Sequence, residues 1–333
     1  LFKTGNVLSD NNIFNVNNVE ISKEISTNKE KLANQAFKKG FKELINRLLL
    51  EEDYKKISTT NLDQIKKLIS YYQIKNKEKE ENNNYIRFNI FFDKERIHNF
   101  FYQKNILYSD IINTDMIIFP LLVSDKQYFI YSKNYFYENW NKENSKDLIQ
   151  YTLPAENIES IQKIKLNRAN IHEINIEDFF KEYSLENMAF AVININPNIA
   201  KVFLNIKTAG KKLNKNLLIT NPGLNEEEFN NMIISKIKNA IRDLIKSQNL
   251  IDVRTPSFLN AEIKLNNKSN LVEFNNRLKR VDLIDNFYVQ QLNKDYVLVK
   301  IKYLGKINKI IKRLKDQNID LNMRQGQWQL NII

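Results

Sequence analysis

His98 and His172 are the only two histidines in the chain, and they stand far apart. Metal binding or triad catalysis asks for closer company, such as two histidines in H-x-x-x-H spacing or convergent acids. Neither histidine has such a partner in the sequence. Cysteine is absent, which removes disulfides, thiolate zinc sites and cysteine nucleophiles. The six glycines, at 5, 40, 210, 223, 305 and 326, never cluster, so no phosphate-cradling loop or dinucleotide fingerprint is present. "ITNPGLNEEEF" (219–229) is a Pro-Gly turn ahead of a helix, whose first N–H groups could face an anion. Three glutamates follow at once and would repel one, so it reads as turn and cap. The acidic pairs Glu51/Glu52 and Asp178/Glu182 could do acid–base work, but carboxylates at helical spacing ordinarily form a solvated face. The expectation is no catalytic residue, no metal, no cofactor and no enzyme.

Two features suit binding. Tyr128, Phe129, Tyr131, Tyr135, Phe136, Tyr137 and Trp140 form an aromatic stretch framed by Lys126, Lys133 and Lys142. Tyr135, Tyr137 and Trp140 are candidates for stacking on bases; the competing reading is a hairpin and helix that fill a core. "RLKRV" (277–281) and "KINKIIKRLK" (306–315) are the densest basic patches. If their helices share one sheet face, Arg277, Lys279, Arg280, Lys309, Lys312 and Arg313 form one outward basic surface. Such a surface suits anionic lipid headgroups or an acidic protein.

The elements that would position these residues follow from periodicity. "IFNVNNVEIS" (13–22) alternates as a strand. "EKLANQAFKKGFKELINRLL" (30–49) carries Ala33, Ala36, Phe37, Gly40, Phe41, Leu44, Leu48 and Leu49 on one side. Lys31, Gln35, Lys38, Lys39, Lys42 and Asn46 fall on the other. Ala33, Ala36 and Gly40 leave that apolar side flat, as suits a helix lying on a sheet. Gly40 costs about 0.5–1 kcal/mol relative to alanine in a helix, and close packing there would offset the cost. A short helix (61–70), two strands (71–80 and 85–93) with a turn at Asn82–Asn84, and a helix from Asp93 complete the block. The middle block holds strands around Ser124–Lys126, short helices, and strands at 187–196, 200–208 and 212–220. A long amphipathic helix (225–248) closes it. The last block reads βαββαβ: strand 257–265, helix 269–281, a hairpin across Asn293–Lys294, helix 306–317, and extended structure turning near Gln325–Gly326.

The expected fold class is therefore α+β, with three consecutive sheet-plus-helix domains, the last ferredoxin-like. Their expected bounds are 1–112 with the long helix 28–52 on an antiparallel sheet, 113–250 as a middle α/β domain, and 251–333. A chain of 333 residues, 42% hydrophobic, can bury several cores. The net charge of +12 favours acidic partners, although abundant lysine, asparagine and isoleucine also fit the codon drift of an AT-rich genome. The longest apolar runs, such as "MIIFPLLV" (116–123), fall far short of the roughly 20 residues of a membrane span, so no transmembrane segment is expected. A start at Leu1 and Phe2 fits a chain whose secretory signal peptide has been removed.

The sequence also resembles a proteobacterial envelope family known as domain of unknown function number twenty sixty-six. The resemblance runs through "FNVNNVEISKE…KLANQAFKKGFKELINRLL", "LISYYQIKNKEKE" (68–80) and "YIRFNIFFDKERIHNFFYQKNILY" (85–108). It continues in "IIFPLL" (117–122), "NYFYENW" (134–140) and the closing stretch 292–330. It implies export and residence in the periplasm, and carries no activity, cofactor or catalytic residue. The combined expectation is a soluble periplasmic, non-enzymatic binding or scaffold protein of a Gram-negative envelope. Its expected partner is an envelope protein or an anionic membrane surface. A basic nucleic-acid-binding protein is the alternative, and an enzyme of unrecognised type the third reading.

Overall fold

The computed structural model describes residues 12–23, 28–75, 84–111, 113–142, 148–183, 185–264, 269–324 and 326–333. The chain is a mixed α+β protein. Among the described residues no helix is long and apolar enough to cross a membrane.

The first block runs β1 (Asn15–Ser22), α1 (Lys29–Leu48), α2 (Glu51–Ile57), α3 (Leu62–Leu68), β2 (Ile69–Lys75), β3 (Tyr85–Phe92), α4 (Lys94–Lys104) and β4 (Tyr108–Ser109). β3 lies between β1 and β2, antiparallel to both. Most of the turn expected at 82–84 lies outside the described residues. Asn28 starts α1 by accepting from the N–H groups of Glu30 and Lys31. The apolar side of α1 is buried, and Gly40 marks its closest approach to the sheet. A Cβ there would stand 2.5 Å from Ile90 Cδ1 and 3.6 Å from Val19 Cγ2. Lys31, Lys38, Lys39 and Lys42 are exposed.

The middle block runs β5 (Thr114–Ser124), β6 (Gln127–Phe129), α5 (Tyr135–Asn139), β7 (Ile149–Thr152), α6 (Ile158–Leu166), a 3-10 segment (Arg168–Glu173) and α7 (Ile176–Phe179). β8 (Met188–Ile195), β9 (Ile199–Thr208), β10 (Lys211–Thr220) and α8 (Glu226–Ser247) follow. Its sheet has the order β10-β9-β8-β5-β6, with β7 also paired to β5. β5 lies inside the sheet, parallel to β8, and Met116–Leu121 is buried throughout. That is why the stretch reads as an unbroken apolar run. One sheet face carries Ala191, Val202 and Leu204 against Phe229, Ile233 and Ile237 of α8. The other carries Phe119, Phe190 and Val192 against Ile164, Ile171 and Phe180. A full capping box, Asn225 with Glu228, opens α8.

The last block runs β11 (Leu250–Ile251), β12 (Ser257–Lys264), α9 (Ser269–Leu278), β13 (Ile284–Leu292), β14 (Tyr296–Tyr303), α10 (Ile307–Lys315), β15 (Ile319–Arg324) and β16 (Gln327–Ile332). The expected βαββα succession is present. The sheet order, β13-β14-β12-β16-β15, keeps the ferredoxin-like order for its first three strands and departs from it at the place beside β12. The closing stretch is a hairpin, turned near Gly326 at φ 80°. Its second strand, not its first, lies beside β12, in parallel. There Trp328 stands opposite Ala261, a large side chain beside a small one.

The chain forms two compact units where three domains were expected. One joins residues 1–110 to 250–333; the other is 111–249. The first and last blocks are held together within one unit by specific bonds. β11 pairs with β4, Leu250 opposite Ser109 and Ile251 opposite Tyr108. Lys94 Nζ donates to the carbonyl of Ile284 at 2.7 Å. The buried Asp110 carboxylate takes Lys309 Nζ, with Arg313 3.7 Å away.

Candidate functional site

Most of the aromatic stretch is core. Trp140 is fully buried and Phe136 nearly so, both in the cluster under α8. Tyr137 donates to the carbonyl of Pro154 at 2.8 Å and packs edge-on against Tyr131. Tyr135 donates to Asn231 Oδ1 at 2.9 Å. The stacking surface expected at Tyr135, Tyr137 and Trp140 is therefore not presented as one. Phe136 and Trp140 close the sheet against α8, while Tyr137 packs with Tyr131 on the opposite face.

The expected basic surface is also largely engaged. Arg277 bonds Glu273 and donates to the carbonyls of Gln317 and Asn318 at 3.2 and 2.9 Å. That contact ties the C-terminal end of α9 to the turn after α10. Lys309 and Arg313, however, turn to Asp110. Lys279, Arg280 and Lys312 remain exposed. Half of the six cations thus serve internal bonds.

The buried titratable groups of the first unit belong to its frame. His98 lies 3.2 Å from the Tyr108 hydroxyl and packs edge-on against Phe14. Burial, aided by the Lys94 ammonium, pushes its pKa down to about 4. Burial pushes the Tyr108 hydroxyl well above its ordinary range and pulls Lys94 down. Among the described residues no three of His, Cys, Asp and Glu gather to hold a metal ion.

The middle unit instead holds a groove of about 480 Å³. Register builds its floor. Val123 pairs with Asn194, Asn194 with Lys201, and Lys201 with Leu218, across β5, β8, β9 and β10. The adjacent row is Val192, Phe203 and Asn216. Directly paired residues share one sheet face, so both rows face the same way.

The segment covering this face explains why the floor is open. Glu177 of α7 binds Lys207 and Lys212 at 3.3 and 3.1 Å. Asn205 Nδ2 donates to the carbonyl of Ile174 at 3.3 Å. His172 packs edge-on against Phe203, centroids 4.8 Å apart. The cover steps back along β9 from Lys207 to Asn205 to Phe203, and Lys201 lies past it, exposed. The near wall is fixed where Tyr128 donates to the carbonyl of Arg168 at 3.2 Å, with the guanidinium 5.4 Å above the ring.

The groove is thus an apolar trough with two amides, one ammonium, one imidazole and one phenol, and no carboxylate is among the described residues that line it. Size and lining match small-ligand and side-chain sites. The spacing around His172 gives no sign of the groove, because its neighbours there come from distant strands. The available signal was Leu218, a large apolar residue on the polar side of an alternating strand; it is 68% exposed.

A second exposed surface lies on the outer face of the C-terminal sheet. Lys300 Nζ stands 4.6 Å over the Phe258 ring, and Tyr288 is paired with Lys300. Phe258 and Tyr288 are both exposed.

No family model and no curated protein matches the chain. Among solved structures it is similar to the crystal structure of lipoprotein GNA1162 from Neisseria meningitidis, at 14% identity and a TM-score of 0.25. That match covers 38% of this chain and 95% of the lipoprotein. An uncharacterized protein matches at 8% identity and a TM-score of 0.17, over 41% of this chain and 93% of its own. At such scores neither likeness bears on this chain's fold or function.

Proposed function

We propose that the chain is a non-enzymatic binding protein of a Gram-negative envelope, working in the periplasm, and that the groove beside His172 is where it grips its partner. The observation carrying this reading is the row Asn194, Lys201 and Leu218. It offers an open apolar floor with hydrogen-bonding and cationic groups, and no acid among the described residues that line it. Such a lining favours holding over turnover. The envelope assignment rests on the sequence resemblance alone.

Asn194→Trp fills the floor of the groove without breaking the ladder. The wild-type chain and this variant are compared for what they retain from a bacterial envelope extract. A species held by the wild type and lost by the variant is expected. Equal retention by both would contradict the reading.

The nucleic-acid reading is favoured by one observation, the exposed Phe258 ring under Lys300. It requires affinity for single strands that falls steeply between 50 and 200 mM salt and is lost in Phe258→Ala.

A further inference from the structure

β10 ends the sheet; among the described residues it pairs with β9 alone. The ladder between them is unbroken over ten residues, from Lys211 opposite Thr208 to Thr220 opposite Ile199. Just past it, the N–H of Asn221 donates to the carbonyl of Asn198 at 2.8 Å. In an antiparallel ladder, N–H groups alternate between partner and open side. The backbone groups of Leu213, Lys215, Leu217 and Ile219 therefore face β9. Those of Asn214, Asn216, Leu218 and Thr220 point out of the sheet.

Proteins commonly guard such an edge with lysine, proline or a bulge. Here the guard covers only the first half, at Lys211, Lys212 and Lys215. Asn216–Thr220 carries no charge, no proline and no bulge, and it borders the groove. Lys212 is paired with Glu177. Lys211 reaches the amide oxygen of Gln248, at 3.4 Å.

We infer that β10 accepts an extended, acidic segment of a partner protein as an added strand. Main-chain bonds to Asn214, Asn216, Leu218 and Thr220 would hold the segment. Its carboxylates would lie along the lysine half, and an apolar side chain would enter the groove beside Leu218. Strand addition of this kind takes affinity from the backbone and specificity from side-chain pockets. The charge pattern selects the occupant. A second copy of this chain carries a net charge of +12 and is repelled as a whole by the same lysine-bearing edge. The inference rests on the groove reading for the placement of side chains, but not for the backbone pairing.

The test is amide hydrogen exchange on the whole chain, with an end-blocked octapeptide as probe. One half of the peptide is glutamate; the other alternates valine and threonine. Exchange at Asn216, Leu218 and Thr220 slows at least tenfold, while Leu217 and Ile219 are slow already. Leu218→Pro removes an outward N–H and no bond to β9, and abolishes the effect. Lys211→Glu with Lys215→Glu weakens it at least tenfold and leaves the backbone intact. No slowing, or equal slowing by the lysine counterpart of the peptide, overturns the inference. So does slowing that grows with protein concentration alone, the mark of a second copy. If the groove reading fails, Asn194→Trp leaves retention from the extract unchanged while protection at β10 stands. If strand addition fails, that protection is absent whatever Asn194→Trp does.

Discussion

Lys309 donates its ammonium to the carboxylate of Asp110, a bond that spans 199 positions of the chain. Asp110 keeps only 3% of its side-chain exposure, whereas Lys309 and Arg313 keep 30% and 32%. The acid is therefore the dependent partner. Removing one side of a buried pair costs about 3–5 kcal/mol; cations this exposed can rehydrate, so the expected cost is lower. Asp110→Ala should cost about 2–3 kcal/mol by urea denaturation. Lys309→Ala should cost less, because Arg313 stays. Equal effects would show that the pair is not asymmetric.

The same unit makes a packing prediction at Gly40. Alanine would gain helix propensity of about 0.5–1 kcal/mol, but its Cβ would press on the buried Ile90 Cδ1. Overpacking of this kind costs about 1–3 kcal/mol, so Gly40→Ala should be net destabilising. Ile90→Val deletes the opposing methyl group. In that background Gly40→Ala should become neutral or stabilising. Additive effects in the double variant would show that the two sites do not touch.

His98 gives a pH dependence with a definite sign. Its folded value, about 4, lies below the ordinary 6.5. Between those values the unfolded chain binds a proton that the folded chain refuses. Stability from this group is thus full above about pH 6.5 and is lost as pH falls toward 4, by about 3 kcal/mol in all. His98→Gln keeps a polar group beside Tyr108 but does not titrate. Denaturation midpoints taken from pH 7 to 4 should fall less steeply in the variant. An unchanged slope would show that His98 is charged in the fold.

The remaining exposed cations test the alternative function. Lys279→Glu, Arg280→Glu and Lys312→Glu together should leave stability within about 0.5 kcal/mol per site. They should also leave retention of envelope species intact. A gel shift lost with these changes, and steeply salt-dependent in the wild type, would favour the nucleic-acid reading instead.

Local pattern was legible in the sequence; long-range pairing was not. The apolar side of α1, with Gly40 on it, was visible because helical spacing is a local property. So were β8, β9 and β10, which lie within a residue or two of their expected bounds. The closing hairpin was also visible, but not that β16 would insert beside β12, because nothing local to Trp328 names Ala261. Asp110 gave no sign of its role, since a lone acid between strands resembles any loop residue. The aromatic stretch misled for a related reason. Tyr135, Tyr137 and Trp140 have the composition of a binding surface, and only burial tells a core from a platform. The groove arises from register across four strands and from the point where the cover stops at His172, neither of which is written in any one segment.

The proposed role of the face formed by Lys201, Leu218 and His172 is to hold a polypeptide partner without transforming it. Its most direct measurement is photo-crosslinking in living cells, with a benzophenone amino acid replacing Leu218 in one strain and Lys279 in another. A discrete crosslinked polypeptide is expected from position 218 and none from 279. No adduct from 218, or adducts of equal yield from both positions, would contradict it.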